Sequence, residues 1–477
     1  MDFDEDDDED EAQAVSAHLQ EDRKLAQTHL NKLSVLNGYP EVFSLFAGER
    51  LRLRLARKPD PRRSARTAFV SGADIRDAVS GRIVATVKLD EKIRVEEQVP
   101  AFYRDDGAAY RTLVEFDTTG WPVGVLECVV YDSAGGKTED IFVNIKPRSF
   151  DGYDLVCVLP FFTWHAYNRI GGGSFYSNSL GTLRTISTLR PLHRKGDNGI
   201  DASLVFLDAF TEGGVKWVCV DSFDLHRAAL PEGRAPVMAL LTHDEYWSEA
   251  MRTQINRYLR RRGVLMVAAG NTCWWQLEIE GCNLTVNKGG KGERAHWFMK
   301  DFPEERTFLS SFRFGGYAVE RAKRKKDFIR HVEGLSEDEF RAAGALTVVR
   351  PKHPLFEGVT LGPGNTFGAE VPIVYREVDG IPLKPDGSVD RDWYDADEIE
   401  PQIIATGLTV TTNRYKVIDR VGVVCEADVR RGHVLNMGTF GWSLGLVQKN
   451  AAVKRIVLNA YRHCRSFARE RKGRAKA

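Results

Sequence analysis

The spacing of apolar residues changes along the chain, and the changes divide it into three stretches. Residues 12–36 place apolar side chains three and four positions apart, which predicts an amphipathic helix. Residues 38–147 alternate apolar and polar positions, as at 50–55, which predicts strands with one solvated face. Residues 150–465 alternate wholly apolar runs with helical patterns, which predicts strands buried on both faces.

These patterns predict a β domain followed by an α/β domain. Short strands separated by Gly, Asp and Pro over residues 38–147 favour an immunoglobulin-like β-sandwich. Buried strands alternating with helices over residues 150–465 are typical of a mostly parallel sheet covered on both sides. Within that stretch, residues 276–432 are rich in Gly and Pro and predict an insertion of strands and loops. Buried strands are predicted at 155–159, 217–220, 237–241, 265–269 and 433–437, and helices around 202–210, 248–262 and 450–463.

Charge is concentrated at the two ends, although the formal net charge is +0. Residues 1–11 are almost all acidic and predict a disordered tail, because like charges repel one another and bury nothing. Residues 466–477 form a basic tail in which basic and aromatic residues are not interleaved, which argues against nucleic-acid binding. No apolar run is long enough to span a membrane, and the acidic start is unlike a signal peptide. We therefore expect a cytoplasmic protein with no membrane partner.

The predicted N-terminal helix indicates how the chain associates. An isolated amphipathic helix at 12–36 must cover its apolar face, so we expect it to dock on its own chain, on a partner subunit or in a homo-oligomer.

The 7 cysteines are scattered, and Cys157 and Cys219 lie inside apolar runs. The sequence therefore predicts buried thiols rather than disulfides.

The candidate site lies where the buried run at 237–241 ends. His243, Asp244 and Glu245 follow this run directly, at the start of a predicted helix. The carboxyl ends of neighbouring strands converge in a doubly wound sheet, and chemistry is usually located there. The residues expected to meet at this edge are Tyr167, Asn168, His243, Glu245 and Asn271.

Each of these residues also has a structural interpretation. His243 could be a hydrogen-bonded core histidine, Glu245 a helix cap, Tyr167 a core aromatic and Asn271 a turn residue. A nucleophile is not supported, because the strand end lacks an elbow motif and Cys273 is interpreted as a buried thiol. Zinc-binding spacings are missing too, so hard donors such as a carboxylate and a tyrosine phenolate would suit ferric iron.

Four segments together resemble the large (beta) subunit of N,N-dimethylformamidase and its relatives. They are TWHAYNRIGGG at 163–173, THDEYWS at 242–248, AAGNTCWW at 268–275 and GTFGWSLGL at 438–446. The resemblance covers about residues 38–462. It implies a β-sandwich followed by a glutamine-amidotransferase-like (flavodoxin-like) α/β domain, and hydrolysis of an amide to formate and an amine.

The resemblance also implies a mononuclear iron held by two tyrosines and one glutamate. Tyr167 and Glu245 match two of these metal ligands, and His243 and Asn271 match catalytic positions. A later acidic residue also contributes in the family, for which Glu370 and Glu377 are both candidates.

The second tyrosine ligand of the family corresponds to Leu126, within GWPVGVL. Leucine cannot coordinate a metal. Either His165 or Tyr176, the nearest candidates to Tyr167, completes the site, or the iron is weakly bound or absent.

Together these residues predict a metal-dependent hydrolase of non-peptide C–N bonds, whose substrate is a small-molecule amide. The alternative is a catalytically degenerate relative that acts as a binding or scaffold protein. In that case the N-terminal helix and the acidic tail would contact the partner.

Overall fold

A computed structural model gives the positions of most of the chain. The described residues are 20, 24, 27–29, 31–59, 67–89, 92–98, 102–176, 183–192, 199–288, 296–297, 303–319, 342–391, 394, 399–410 and 418–473. The acidic stretch 1–11 lies outside them, as does most of the helix predicted at 12–36. Residues 27–29 and 31 are helical, whereas Leu36 already belongs to a strand.

The described strands and helices are numbered here in chain order. The strands are β1 (Leu36–Pro40), β2 (Ser44–Phe46), β3 (Arg50–Arg57), β4 (Ala68–Asp77), β5 (Ile83–Lys88), β6 (Arg94–Val95), β7 (Thr112–Asp117), β8 (Gly124–Asp132), β9 (Phe142–Lys146), β10 (Leu155–Leu159), β11 (Leu183–Ser187), β12 (Trp217–Asp221), β13 (Met238–His243), β14 (Tyr246–Ser248), β15 (Val264–Gly270), β16 (Trp275–Glu280), β17 (Asn283–Asn287), β18 (Gly316–Ala318), β19 (Leu346–Val348), β20 (Thr366–Phe367), β21 (Glu377–Gly380), β22 (Gln402–Val410), β23 (Ile418–Val429) and β24 (Gly432–Asn436). The helices are α1 (Phe161–Tyr167), α2 (Ile200–Glu212), α3 (Ser222–Arg227), α4 (Glu249–Arg260), α5 (Glu305–Phe308), α6 (Phe312–Gly315), α7 (Gly441–Val447) and α8 (Ala451–Gly473), with 3-10 turns at Pro354–Phe356 and Pro363–Asn365.

The fold is mixed α/β, with several sheets, and the chain forms two compact units. The first unit comprises Met1–Arg148, Trp164–Arg194 and Leu277–Ala295. The second comprises Ser149–Thr163, Lys195–Gln276 and His296–Ala477. The first unit thus combines the stretch predicted as a β-sandwich with two later segments.

The first unit contains two main sheets that share a hydrophobic cluster. One sheet has the order β1-β3-β7 and the other the order β2-β9-β8-β4-β5, with β6 paired to β4. Leu51, Leu53 and Leu55 are fully buried in a cluster that also includes residues of β4 and β8. The arginines between these leucines face outward, where Arg52 and Arg54 pair with Glu41. The predicted alternation is therefore confirmed in β3.

The second unit is built on a long sheet whose central strands are parallel. Strands β12, β10, β13, β15 and β24 lie side by side in that order, so the chain order across the sheet is 2-1-3-4-5. The strand order reverses between β10 and β13. The sheet then continues antiparallel through β23, β22 and β18 to β21. The predicted buried strands are thus confirmed, and part of the segment 276–432 extends the same sheet.

Helix α8 is longer than its sequence pattern predicts. We expected it to end near residue 463, but it continues to Gly473. Charged and aromatic side chains stabilise the added turns: Arg465 pairs with Asp154 at 2.5 Å, and Phe467 stacks on His433 with ring centroids 3.8 Å apart. Part of the predicted basic tail is therefore helical, and residues 474–477 lie outside the described residues.

The described helices and cysteines bear on two earlier expectations. No described helix is long and apolar enough to cross a membrane. Cys157 and Cys219 are fully buried thiols that form no disulfide, as predicted.

We expect the buried central strands to dominate the stability of the second unit. Leu240 in β13 is fully buried, so Leu240→Ala should remove its packing contacts and lower the free energy of unfolding by about 2–5 kcal/mol. Val349 is 54% exposed, and Val349→Ala should change this free energy by less than about 0.5 kcal/mol. Chemical denaturation of both variants checks the difference; equal effects would contradict the assignment of β13 to the core.

Candidate functional site

The candidate site forms where β13 ends. The strand is buried along its whole length, and Thr242, the residue before its end, has a left-handed φ of 69°. Beyond this point the backbone N–H groups of Glu245 and Tyr246 donate to Thr163 Oγ1, at 3.0 and 3.3 Å. Ser248 then accepts from Met251 N and caps α4. Because Ser248 is the cap, Glu245 is available for another role.

Three of the predicted site residues meet at this strand end. His243 Nε2 lies 3.3 Å from Glu245 Oε2 and 3.4 Å from Glu377 Oε2. Asn271 Nδ2 donates to the same Glu377 oxygen at 3.1 Å. All four side chains are buried. The structure also separates the two late acidic candidates, because Glu370 is exposed and Glu377 is the one that joins the cluster.

Asp379 supports this cluster and was not predicted. Its two carboxylate oxygens accept the backbone N–H groups of Asn271 at 2.8 Å and Thr272 at 3.0 Å. Asp379 therefore fixes the turn that follows β15. Burial raises the pKa of Asp379 to about 7, against the opposing effect of these hydrogen bonds. The spacing of Glu377 and Asp379, two residues apart in a strand, places both carboxylates on one face.

The backbone around this turn is strained and closely packed. Asn271 and Cys273 have left-handed φ angles of 54° and 56°, which non-glycine residues rarely adopt. A Cβ atom added at Gly270 would lie 2.4 Å from the carbonyl oxygen of Glu377, so only glycine allows β15 and β21 to approach this closely. Backbone strain of this kind is concentrated at functional sites.

Three side chains near the cluster, those of Cys273, Asp244 and Phe440, differ in polarity and in their ability to ionise. Burial raises the pKa of the Cys273 thiol well above its usual value, which agrees with the interpretation of an inert thiol. Burial also raises the pKa of Asp244 to about 8, so this carboxyl binds a proton near neutral pH. The Phe440 ring packs edge-on against His243, with centroids 4.5 Å apart. Phe440 thus gives the imidazole an apolar neighbour.

Tyr167 lies in the first unit, at the end of α1. Its hydroxyl is 2.7 Å from the Tyr176 hydroxyl, and the two rings stack with centroids 4.4 Å apart. The ammonium group of Lys288 lies 3.9 Å from the centre of the Tyr176 ring. Of the two residues considered as substitutes for the missing ligand, Tyr176 is therefore the one whose hydroxyl contacts that of Tyr167.

Arg190 organises the glycine-rich loop that follows Tyr167. Its guanidinium donates to the backbone carbonyls of His165 at 2.9 Å, Ile170 at 3.0 Å and Gly173 at 2.5 Å. Gly171 has a φ of 80°, and a Cβ there would lie 2.5 Å from the Tyr103 ring. These contacts indicate that the loop is a fixed element of the first unit.

Leu126 and His165, the other two residues considered at the missing ligand position, are both buried in the first unit. Leu126 is fully buried in the apolar core of the first unit. Burial, together with the nearby Arg190 guanidinium, lowers the pKa of His165 well below its usual value, so this imidazole stays neutral. The incomplete ligand set inferred at Leu126 remains a prediction.

The cluster in the second unit is suited to proton transfer and to hydrogen bonding of a polar ligand. An imidazole nitrogen between two carboxylates can accept a proton and is stabilised when charged. One Asn271 N–H is already committed to Glu377, and the side-chain amide has a second N–H. An amide N–H in a buried site can stabilise a developing negative charge on oxygen.

A known protein family matches most of the chain. The family model described as N,N-dimethylformamidase beta subunit-like, C-terminal, matches residues 70–454, which is well over half of the chain. No curated protein matches the chain.

The raised pKa of Asp244 predicts a pH-dependent stability. The folded state holds this proton to about pH 8 whereas the unfolded chain releases it near pH 4, so stability from this group falls as pH rises through that window. Through this group the unaltered protein should lose at most about 4 kcal/mol of its free energy of unfolding between pH 5 and pH 8. Asp244→Asn mimics the protonated form and should abolish this loss.

The measurement is chemical denaturation at pH 5 and pH 9. Glu249→Gln, at an exposed acidic residue in α4, is the control and should keep the pH dependence of the unaltered protein. An identical slope for Asp244→Asn would show that this carboxyl is ionised in the folded state.

Proposed function

The chain belongs to the N,N-dimethylformamidase beta subunit-like family, and on this premise we propose that it hydrolyses a non-peptide C–N bond. The substrate is a small amide of the formamide type. The observation that carries the proposal is the contact of His243 with Glu245 and Glu377, together with the Asn271–Glu377 hydrogen bond. These are groups that amide hydrolysis requires, namely a proton carrier and an N–H donor.

Each residue has a role in this proposal. His243 holds the proton that must reach the leaving amine, since expulsion of an unprotonated amine anion is unfavourable. Glu377 orients both His243 and Asn271, because one of its oxygens contacts both side chains. The second N–H of Asn271 is directed to the carbonyl oxygen of the amide, where one such donor contributes about 3–4 kcal/mol.

We propose iron as the metal, with Tyr167 and Glu245 as ligands. The residues fit such an ion in part: a carboxylate and a phenol are hard oxygen donors suited to ferric iron, whereas Leu126 is in the apolar core and offers no donor atom. Bound iron would supply Lewis acidity that polarises the amide carbonyl. The hydroxyl contact between Tyr167 and Tyr176 supports Tyr176 as a candidate for the missing position.

The finer architecture belongs to the same proposal. We propose an immunoglobulin-like β-sandwich over residues 38–147 and a glutamine-amidotransferase-like domain over residues 150–465. The 2-1-3-4-5 order of the parallel strands supports the second assignment, because flavodoxin-like sheets have this order and bind ligands where it reverses. The reversal lies beside β13, the strand that carries His243.

The alternative function is a binding or scaffold protein without catalysis. The burial of Leu126 in the core is the observation that favours it, because a metal site that lacks one ligand binds its ion less tightly. Purified protein that has neither iron nor amidase activity after iron-rich expression would support this alternative.

The proposal predicts that Glu245 is needed for iron binding. Glu245→Gln should lower the iron content per chain at least about tenfold, because an amide oxygen is a weaker donor than a carboxylate. Elemental analysis and the visible tyrosinate-to-iron absorption band are the two readouts, and formate release from N,N-dimethylformamide is the activity assay.

Glu370→Gln is the matched control, since Glu370 is an exposed glutamate. It should retain the iron content and the absorption band of the unaltered protein. Equal iron content in the Glu245→Gln and Glu370→Gln variants would refute Glu245 as a ligand.

A further inference from the structure

A second cluster of ionisable residues lies away from the candidate site, where α8 meets the β23–β24 hairpin. His353 Nε2 lies 3.2 Å from Glu426 Oε1, and His463 Nε2 lies 2.7 Å from Glu426 Oε2. His433 Nε2 lies 3.4 Å from the same Oε2, and its Nδ1 is 3.0 Å from Asp428 Oδ1. One buried carboxylate therefore faces three imidazoles.

The residues of this cluster lie on four elements of the second unit. His353 caps the 3-10 turn Pro354–Phe356, Glu426 and Asp428 lie in β23, and His433 lies in β24. His463 belongs to α8, and Phe467 one turn later stacks on the His433 ring. The cluster thus connects the C-terminal part of α8 to the edge of the hairpin.

Histidines and a carboxylate at these distances could hold a metal ion or share protons. The hydrogen bond from Leu355 N to His353 Nδ1, at 3.2 Å, favours shared protons over a metal ion. An Nδ1 atom that accepts a hydrogen bond carries no hydrogen, so the neutral ring has its proton on Nε2, the atom that would have to bind the metal. The 2.7 Å contact of His463 with Glu426 is also the length of a charge-assisted hydrogen bond.

We propose that His353, His433, His463, Glu426 and Asp428 form a proton-operated clamp, which holds residues 464–473 of α8 on the β23–β24 hairpin and loosens when His433 loses its proton. His433 is the key group because carboxylates face both of its ring nitrogens. It is also the ring against which Phe467 stacks, so its charge and position affect the helix directly.

The charged surroundings of His433 support this role. Asp428 and Glu426 raise the pKa of His433 against the opposing effect of its burial. Arg471 of α8 pairs with Asp428, and hydrogen bonds from the three histidines lower the pKa of Glu426 far below its usual value, despite burial. Cys464 of α8 is a buried thiol whose pKa is raised, so it stays neutral.

The sign of the pH effect follows from these shifts. A histidine whose folded pKa is raised contributes stability that is complete below about pH 6.5 and is lost as pH rises through the folded pKa. Glu426 contributes stability above about pH 4.5 and loses it only in strong acid. The clamp is therefore tightest in mildly acidic solution and weakens as the pH becomes alkaline.

The test is amide hydrogen exchange of residues 464–473, expressed as protection relative to the intrinsic rate at each pH. In the unaltered protein we expect protection to fall roughly fivefold from pH 6 to pH 9. Residues 451–460 of the same helix serve as the internal reference and should not change. His433→Gln should give low protection at both pH values.

Two further variants make the result decisive. Asp428→Asn keeps the shape of the side chain but removes a negative charge beside His433, so the transition should move to lower pH. His226→Gln, at a half-buried histidine outside the clamp, should behave like the unaltered protein. The clamp is overturned if protection at 464–473 does not depend on pH, or if the dependence persists in His433→Gln. It is also overturned if zinc co-purifies stoichiometrically and its removal lowers protection at pH 6.

Discussion

The Asp379 carboxylate is the contact on which the candidate site depends. Its two oxygens accept the adjacent N–H groups of Asn271 and Thr272 and so hold the chain in a left-handed turn immediately after β15. Without an acceptor, these two buried N–H groups would each cost about 1–3 kcal/mol. The same strand, β21, carries Glu377 two residues earlier, so one short strand both fixes the turn and supplies the acid that contacts His243 and Asn271.

This arrangement explains why the site tolerates several buried acidic groups. Burial disfavours a charged carboxylate, and the buried acids of this site offset that cost in two ways. Asp244 has a pKa of about 8 and binds a proton near neutral pH, whereas Glu245 and Glu377 share the imidazole of His243. Burial is thus offset by a bound proton at Asp244 and by contacts with His243 at the two glutamates.

Much of this architecture could be predicted from the sequence. Apolar runs located the parallel strands, and the change in polarity after β13 located His243 and Glu245, because a buried strand that ends in ionisable residues is unusual. Asp379 and Thr163 could not be found in this way. Each acts through a contact with backbone N–H groups distant in sequence, and such partners are set by strand order. The extension of α8 to Gly473 likewise depends on partners in β23 and β24, which helix periodicity does not encode.

The most direct test of the central claim is the exchange rate of the amide hydrogens of Asn271 and Thr272 in the unaltered protein and in Asp379→Ala. If the Asp379 carboxylate holds this turn, loss of both acceptors should increase exchange at these two amides at least about tenfold, while the amides within β13 keep their protection. Unchanged exchange at Asn271 and Thr272 would contradict the account, because the turn would then be held by other contacts.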